Sequence, residues 1–238
     1  MDIITNLYHY TSIEALYAII QGINNGNVCL RGTHISFFND LTDGVLSANA
    51  LFACGVPRNV ITALMSCSGF PYVVSLSEKE DDLNMWRCYA TEGKGVAIEL
   101  KKSVLDNTFG DELQKCKYIS PKEVECLIKS TFGVEIYNDA KDTLPLSRFL
   151  HSSCIYKHNS FRDENEWRII KHDVTEKFRL GPTGIVPYLD FNIPIDAISS
   201  IRLGPKCDFP RNSFSITELL KTKGLRQIKV DHSSIPLQ

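Results

Sequence analysis

The order of helical and extended segments is the feature that most constrains how this chain can fold. Apolar residues at helical spacing dominate the first two-thirds, beginning with Ser12–Gln21, whereas extended segments such as Ile185–Asp190 and Ala197–Leu203 dominate the last third. Strands therefore do not alternate regularly with single helices, which argues against a doubly wound sheet. We predict an α+β fold, with residues 1–238 as one domain. Its mixed β core would take strands from both halves of the chain and be surrounded by helices.

The composition excludes several classes of protein. A chain of 238 residues with 43% hydrophobic and 23% charged residues is neither wholly disordered nor a coiled coil. No apolar stretch approaches the roughly 18 residues that a membrane helix needs. The first residues lack the basic and apolar regions of a secretory signal. We therefore expect a cytoplasmic protein that has no membrane partner.

Charge and cysteine content do not favour nucleic-acid contacts or metal binding as the main function. The 26 Lys and Arg residues nearly balance the 28 Asp and Glu residues, whereas proteins that depend on phosphate-backbone contacts are usually more basic. No two of the eight cysteines are close enough for a Cys-x-x-Cys zinc site. We expect buried free thiols in a reducing compartment and no bound metal.

An early histidine is the first candidate site residue. His9 lies near the end of a strand predicted over Asn6–Tyr10, just before a helix that we expect Thr11 to cap. Backbone N–H groups and side chains converge where strands meet helix starts, and an imidazole can both donate to and accept from a ribose hydroxyl. The alternative is a half-buried histidine bonded to nearby backbone.

A Ser-x-Ser motif closes a second predicted strand, Tyr72–Ser77. Residues two apart on a strand share a face, so Ser75 and Ser77 both lie opposite Leu76. Two small hydroxyl groups on one face can position a bound ribose or amide. The alternative is a solvated strand edge.

A Glu-x-Glu motif begins a late strand. If residues 164–168 are extended, Glu164, Glu166 and Arg168 share a face, and two carboxylates at that spacing are destabilising unless they have partners or a function. Two adjacent acids in different environments can divide roles, one remaining ionised while the other handles a proton. The alternative is an exposed, salt-bridged strand edge.

A predicted helix over Asp82–Tyr89 supplies two aromatic candidates. Trp86 and Tyr89 are neighbours on its surface, and either ring could stack on a flat heteroaromatic ligand. Core packing is the alternative, and it fits Trp86 better than Tyr89. A strand-to-helix junction at Asn39-Asp40 adds a further polar segment, with Asp43 as a candidate for a place beside the site.

Taken in chain order, the histidine, the Ser-x-Ser motif and the Glu-x-Glu motif resemble the ADP-ribosyltransferase superfamily. Its members carry Arg or His on the first strand, a serine or tyrosine motif in the middle and a late catalytic Glu, often within Glu-x-Glu. The chain is also similar to an uncharacterised bacterial domain family across residues 7–205. The motifs that carry this second similarity are Leu7–Ser12, Asn39-Asp40, Ser75–Ser77, Met85–Tyr89, Glu164–Arg168 and Ile198–Pro205.

The resemblance implies a binding site for NAD, as co-substrate, and no metal. His9 would hold a ribose hydroxyl, and Ser75 and Ser77 would shape the pocket for nicotinamide and its ribose. Tyr89 would stack on nicotinamide, with Tyr10 as the competing candidate. The full NAD-binding set that the resemblance implies is His9, Tyr10, Thr11, Ser75, Ser77 and Tyr89.

The resemblance also implies the chemistry. Glu166 would be the catalytic residue and would stabilise the positive charge that develops on ribose as the bond from C1′ to nicotinamide breaks, while Glu164 would orient or deprotonate the acceptor. The implied function is NAD-dependent ADP-ribosyl transfer to a protein or nucleic acid, in a toxin or phage-defence role, with the existence of a partner antitoxin left open. The open alternatives are NAD glycohydrolysis, a non-catalytic nucleotide-sensing module, and hydrolysis of another substrate by the two glutamates.

Overall fold

Helices and strands alternate irregularly through the part of the chain that the computed structural model describes, which comprises residues 4–38, 45–66, 71–133, 143–175, 177–181 and 184–236. The strands in these ranges are β1 Asn6–Thr11, β2 Asn27–His34, β3 Tyr72–Ser77, β4 Val96–Lys101, β5 Leu113–Lys115, β6 Lys117–Ile119, β7 Tyr156–His158, β8 Glu166–Lys171, β9 Phe178–Gly181, β10 Gly184–Pro194, β11 Ile198–Leu203 and β12 Lys229–His232. The α-helices are α1 Ile13–Gln21, α2 Leu46–Ala53, α3 Arg58–Ser66, α4 Leu83–Tyr89, α5 Lys102–Phe109, α6 Pro121–Phe132, α7 Thr143–Ser152 and α8 Phe209–Thr222. The α+β prediction is confirmed.

Ten of the strands in the described ranges form one mixed sheet. Eight of them follow a single path in the order β12-β11-β4-β1-β3-β2-β10-β9, while β8 pairs with β3 and β5 pairs with β8. Most neighbours are antiparallel, but β11 and β12 are parallel. The strands β6 and β7 form a separate parallel pair. The main sheet therefore combines strands from both halves of the chain, as predicted.

The sheet divides next to β3. One edge of β3 pairs with β8 along its whole length, with Ser77 opposite Glu166 at one end. The other edge is shared by two strands, because β1 pairs with it only at Ser77 and β2 pairs with it only at Val73 and Tyr72. The strands β1 and β2 therefore diverge around Ser75, and a gap opens in the sheet between them.

Helices cover both faces of the sheet. On one face, α1, α5 and α8 pack on a core that includes Leu7, Val74 and Ile169. On the other face, α2, α3, α6 and α7 pack with Val73 and Ile170. Adjacent residues of β3 and of β8 thus belong to different cores, as the alternation of side chains along a strand requires. Within the described ranges, none of the helices combines the length and the apolar character that crossing a bilayer requires.

The predicted strand Tyr72–Ser77 is confirmed, but other local predictions are wrong. The cap of α1 is Ser12 rather than Thr11, because the Ser12 side chain accepts a hydrogen bond from the Ala15 N–H. From the sequence we predict two short strands, Val28–Leu30 and His34–Phe37. Strand β2 instead runs unbroken from Asn27 to His34, because a seven-residue ladder with β10 holds it extended. The sequence also predicts one strand over Lys115–Ile119, where β5 pairs with β8 and β6 pairs with β7, and it does not predict α5.

Candidate active site

A cavity of about 610 Å³ lies at the gap in the sheet. Its wall includes residues of α1, β1, β2 and β3, together with the segment that precedes β8. Both Val74 and Ser75 line the cavity, so it reaches both faces of β3. Ligand sites typically have volumes of roughly 300–1,000 Å³. The wall includes most of the site residues predicted from the sequence: His9, Tyr10, Thr11, Ser75, Tyr89, Glu164 and Glu166.

His9 lies where β1 and β3 diverge. Its Nδ1 atom is 3.0 Å from the carbonyl oxygen of Ser75. Because a carbonyl only accepts, Nδ1 carries the proton and Nε2 is left as an acceptor. Burial lowers the pKa of His9 and outweighs the opposing effect of the Ser75 carbonyl, so the ring is neutral at pH 7. His9 is thus bonded to nearby backbone and also keeps one acceptor nitrogen for a ligand.

Glu166 is a buried carboxylate held between two cations. Strand β8 places Glu166 and Arg168 on one face, and the Arg168 Nε and Nη2 atoms donate to the two carboxylate oxygens at 2.8 and 3.0 Å. Lys157 Nζ donates to Oε2 at 2.8 Å. Burial by itself raises the pKa of Glu166, but the charges of Arg168 and Lys157 lower it to about 2. The exposed strand edge that was the alternative interpretation is wrong, because the Glu166 and Arg168 side chains are 6% and 0% exposed.

Glu164 lies outside the strand, so the prediction that Glu164 and Glu166 share a strand face is wrong. Glu164 ends a 3-10 segment, and Asn165 then adopts a left-handed backbone conformation, with φ of 44°, before β8 begins. Lys157 nevertheless joins the two carboxylates, because its Nζ atom also donates to Glu164 Oε2 at 2.7 Å. The Glu164 side chain is 15% exposed, against 6% for Glu166. Glu164 is therefore the more accessible of the two carboxylates.

The two candidate stacking tyrosines differ in how much of the ring is free. Tyr89 is 38% exposed, and its hydroxyl donates to Glu164 Oε1 at 2.7 Å. Burial, together with the nearby Glu164 carboxylate, raises the pKa of Tyr89, although the Lys157 charge opposes this effect. Tyr10 is 7% exposed, its hydroxyl donates to the Lys79 carbonyl at 2.8 Å, and its ring packs edge-on against Trp86. Tyr89 therefore offers the accessible ring, whereas Tyr10 and the fully buried Trp86 belong to the core.

The two serines of the Ser-x-Ser motif have different roles. Ser75 lines the cavity, as does Thr11 at the end of β1. Ser77 is buried and does not line the cavity, because its hydroxyl donates to the carbonyl of Glu164 at 2.6 Å and accepts from the N–H of Lys79. We conclude that Ser77 orients the segment carrying Glu164 instead of contacting a ligand. Three other candidates, Asn39, Asp40 and Asp43, lie outside the described residues.

Lys157 is the site residue that sequence reasoning misses. It belongs to β7, a strand of only three residues, and it pairs with Tyr118 across the short ladder formed with β6. From the sequence we predict a helix over about Pro145–Lys157, so nothing in that prediction directs Lys157 towards Glu164. A lysine directly after the apolar run that includes Ile155 is the only local signal, and it is compatible with any helix or strand end.

Thiol and metal chemistry receive no support from the residues described. All seven cysteines in these ranges are free thiols, and Cys88 and Cys126 are exposed, which corrects the expectation that they are buried. Cys29 lines the cavity, but burial and the adjacent Asp190 raise the pKa of its thiol to about 12. No group of three or more His, Cys, Asp or Glu residues within the described part of the chain is placed to hold a metal ion.

Comparison with known proteins gives one finding. The model of a family described as "Protein of unknown function (DUF2971)" matches residues 85–169, about a third of the chain. The matched segment includes Tyr89, Lys157, Glu164 and Glu166 and excludes the first three strands. No curated protein and no solved structure matches. Over the segment that supplies both carboxylates, the chain is therefore similar to a family whose function is not known.

Proposed function

We propose that the protein is an NAD-dependent ADP-ribosyltransferase, which transfers ADP-ribose from NAD to a macromolecular acceptor and releases nicotinamide. One observation carries the proposal. Three segments that are far apart in sequence bring His9, Tyr89 and Glu164 to a single cavity of about 610 Å³. An acceptor nitrogen, an accessible aromatic ring and a carboxylate are the groups needed to hold a ribose, a flat heteroaromatic ring and a developing positive charge.

The reaction exchanges one bond at the ribose for another. The bond from C1′ to the nicotinamide nitrogen breaks, and its electron pair leaves with nicotinamide, which neutralises the pyridinium charge. A nucleophile on the acceptor forms the new bond to C1′, and its proton passes to a carboxylate and then to solvent. Between these events, positive charge on the ribose needs a nearby anion, which is worth roughly 3–4 kcal/mol when it is well placed.

The geometry favours Glu164 as the anion closest to the ribose. Each Glu164 oxygen accepts one hydrogen bond, from Tyr89 or from Lys157, and therefore keeps capacity for a ribose hydroxyl. The Glu166 carboxylate already accepts three hydrogen bonds, from Arg168 and Lys157, and is more buried. We therefore assign the contact with the ribose to Glu164, and to Glu166 the positioning of Lys157 beside it. The contact with the ribose, which the resemblance implies for Glu166, is thus assigned to Glu164.

Tyr89 would bind nicotinamide next to that carboxylate. Its hydroxyl is tied to Glu164, so the orientation of the ring is coupled to the position of the carboxylate. The neutral His9 ring, which lines the same cavity, would accept from a ribose hydroxyl. Protein and nucleic acid both remain open as acceptors. With water as the acceptor, the enzyme would be an NAD glycohydrolase. A toxin or phage-defence role with a partner antitoxin belongs to the same proposal.

Release of free nicotinamide tests the proposal. The full chain is incubated with NAD, with and without bacterial lysate as a source of acceptors, and nicotinamide is quantified by chromatography. We expect release by the parent protein and a loss of 10²–10³-fold in Glu164→Gln, the usual range for removing one electrostatic stabiliser. The matched control is Glu218→Gln on α8, which removes an exposed carboxylate paired with Lys221. No release under either condition, or equal release by Glu164→Gln, would contradict the proposal.

A non-catalytic nucleotide-sensing module is the second candidate, and one observation favours it. All four oxygens of the two carboxylates accept hydrogen bonds within the protein. The charges of Lys157 and Arg168 also balance those of Glu164 and Glu166, which reduces the anionic character of the site. In that case NAD binds without turnover, and Glu164→Gln changes only the affinity, which calorimetry measures directly.

A further inference from the structure

The part of the cavity wall farthest from β8 along the sheet is one face of the three strands β2, β10 and β9. The register places Thr33 opposite Tyr188 and Arg31 opposite Asp190, while β9 places Arg179 opposite Val186. Because alternate residues of a strand share a face, these side chains project from one surface. The cavity-lining residues of this surface are Cys29, Arg31, Thr33, Arg179, Val186, Tyr188 and Asp190.

Arg179 has an unused donor in this wall. Its Nη2 atom donates to Thr33 Oγ1 at 3.0 Å, which fixes the guanidinium against β2. Its Nε atom is buried and has no hydrogen-bond partner among the described residues. A buried N–H group without an acceptor is costly, and such groups in folded proteins usually have a partner. A ligand oxygen in the cavity would supply that partner.

Arg31 adds a second guanidinium on the same surface. Its Cζ atom lies 4.9 Å from the centre of the Tyr188 ring, a stacked position that leaves its N–H groups available. Within the described part of the chain, neither Arg31 nor Arg179 forms an ion pair with a carboxylate, although the charge of Arg31 helps to lower the pKa of Asp190, which pairs with Lys177. Among the described residues that line this end of the cavity, Arg31 and Arg179 are cationic and Asp190 is anionic, which leaves an excess of one positive charge.

We propose that Arg31 and Arg179 form a phosphate-binding subsite that holds the diphosphate of a dinucleotide. Paired donors on planar guanidinium groups match phosphate oxygens, which accept hydrogen bonds in the same fork geometry. Strand β2 is two positions from β8 in the sheet, with β3 between them, a separation of roughly 10 Å at the usual strand spacing. The ligand would therefore extend from the carboxylates at β8 towards the arginines, passing Ser75 in the gap.

The assignment to a dinucleotide rests on the proposed function, whereas the recognition of phosphate does not. Any phosphate ester of suitable length, including the backbone of a nucleic-acid acceptor, presents the same oxygens. The two sources are distinguished by comparing a free nucleoside diphosphate with a single-stranded oligonucleotide. A subsite for the diphosphate binds ADP and ADP-ribose in the absence of any acceptor.

Calorimetry on the full chain tests the subsite with ADP-ribose, ADP, adenosine and a short single-stranded oligonucleotide as probes. We expect ADP-ribose and ADP to bind at least tenfold more tightly than adenosine and to weaken as salt is added. Arg179→Gln and Arg31→Gln should each weaken ADP binding about tenfold or more and leave the weak binding of adenosine unchanged. The matched control is Arg211→Gln, the same substitution at an exposed position on α8, with the fold of each variant checked by circular dichroism.

The outcomes separate this inference from the proposed function. Binding of ADP that is lost in Arg179→Gln but accompanied by no nicotinamide release supports the subsite and contradicts the transferase. Nicotinamide release with an unchanged KM for NAD in both arginine variants contradicts the subsite and supports the transferase. The subsite is also overturned if ADP does not bind, or if the arginine variants weaken only the oligonucleotide.

Discussion

The lysine between the two carboxylates should be a main determinant of stability, and Lys157→Met tests this. The Lys157 side chain is 3% exposed and donates to both Glu164 and Glu166. Arg168 and Lys157 together lower the pKa of Glu166 from 4.5 to about 2. At about 1.4 kcal/mol per pKa unit, this difference corresponds to roughly 3 kcal/mol of folding free energy at neutral pH.

Replacing Lys157 removes a positive charge that compensates the negative charges of the Glu164 and Glu166 carboxylates. Breaking a buried ion pair by removing one partner typically costs about 3–5 kcal/mol. Because Arg168 still contacts Glu166 in the variant, we expect the lower end, about 3 kcal/mol. Urea unfolding at pH 7 measures the loss, with Lys221→Met as the control because Lys221 and Glu218 form an exposed pair worth at most about 1 kcal/mol.

The pH dependence of stability gives a second readout for the same variant. Glu166 has a lowered pKa in the folded protein, so its contribution is present above the unfolded value of 4.5 and is lost as the pH falls towards 2. In Lys157→Met the pKa of Glu166 should rise, and the loss of stability between about pH 4.5 and pH 2 should become smaller. A variant with a free energy of unfolding within about 0.5 kcal/mol of the parent at pH 7 would refute this reasoning.

Three further perturbations test other parts of the structure. Asp81 accepts from the Ser233 hydroxyl at 2.7 Å in the C-terminal segment, so Asp81→Ala should lower the free energy of unfolding by about 2–3 kcal/mol, and an unchanged urea midpoint would disprove this. Because burial lowers the pKa of His9, the contribution of the neutral ring to the free energy of unfolding is present above the unfolded pKa of 6.5 and is lost as the pH falls. His9→Gln should therefore flatten the stability profile below pH 6.5, and parallel profiles would argue against a buried neutral ring. Tyr89→Phe keeps the ring but removes its bond to Glu164, so kcat for nicotinamide release should fall about tenfold with little change in KM, and an unchanged kcat would show that the bond has no role.

The parts of the fold that depend on local patterns could be predicted from the sequence. The sequence predicts Tyr72–Ser77 as a strand, and the capping-box pattern Ser120-Pro121-Lys122-Glu123 predicts the start of α6. The placement of His9 on an early strand is also correct, although β1 continues to Thr11. These signals lie within a few residues of each other, so no knowledge of the tertiary structure is needed to interpret them.

The parts that depend on contacts between distant segments could not be predicted. A single left-handed residue, Asn165, removes Glu164 from the strand, and Asn is a residue type that also fits an ordinary strand end. Lys157 joins the site through a three-residue strand without a pattern of its own. Arg31 and Arg179 line the same wall only because β10 pairs with both β2 and β9, and this register is fixed by long-range ladders.

The division of β3 between β1 and β2 is the clearest example of a feature determined by long-range packing. The wall of the cavity exists because these two strands pair with opposite ends of one edge and separate around Ser75. Gly32 allows β2 to pack closely against β10 beside this gap, since a Cβ atom there would lie 2.1 Å from the Phe191 ring.

A crystal structure of the Glu164→Gln variant soaked with NAD tests the central claim most directly, because the substitution should slow turnover while it preserves the shape of the cavity. We expect the nicotinamide ring against Tyr89, its ribose between His9 and position 164, and the diphosphate beside Arg179. NAD bound elsewhere on the molecule, or a cavity that stays empty at saturating NAD, would contradict the proposal that this gap in the sheet is a dinucleotide site.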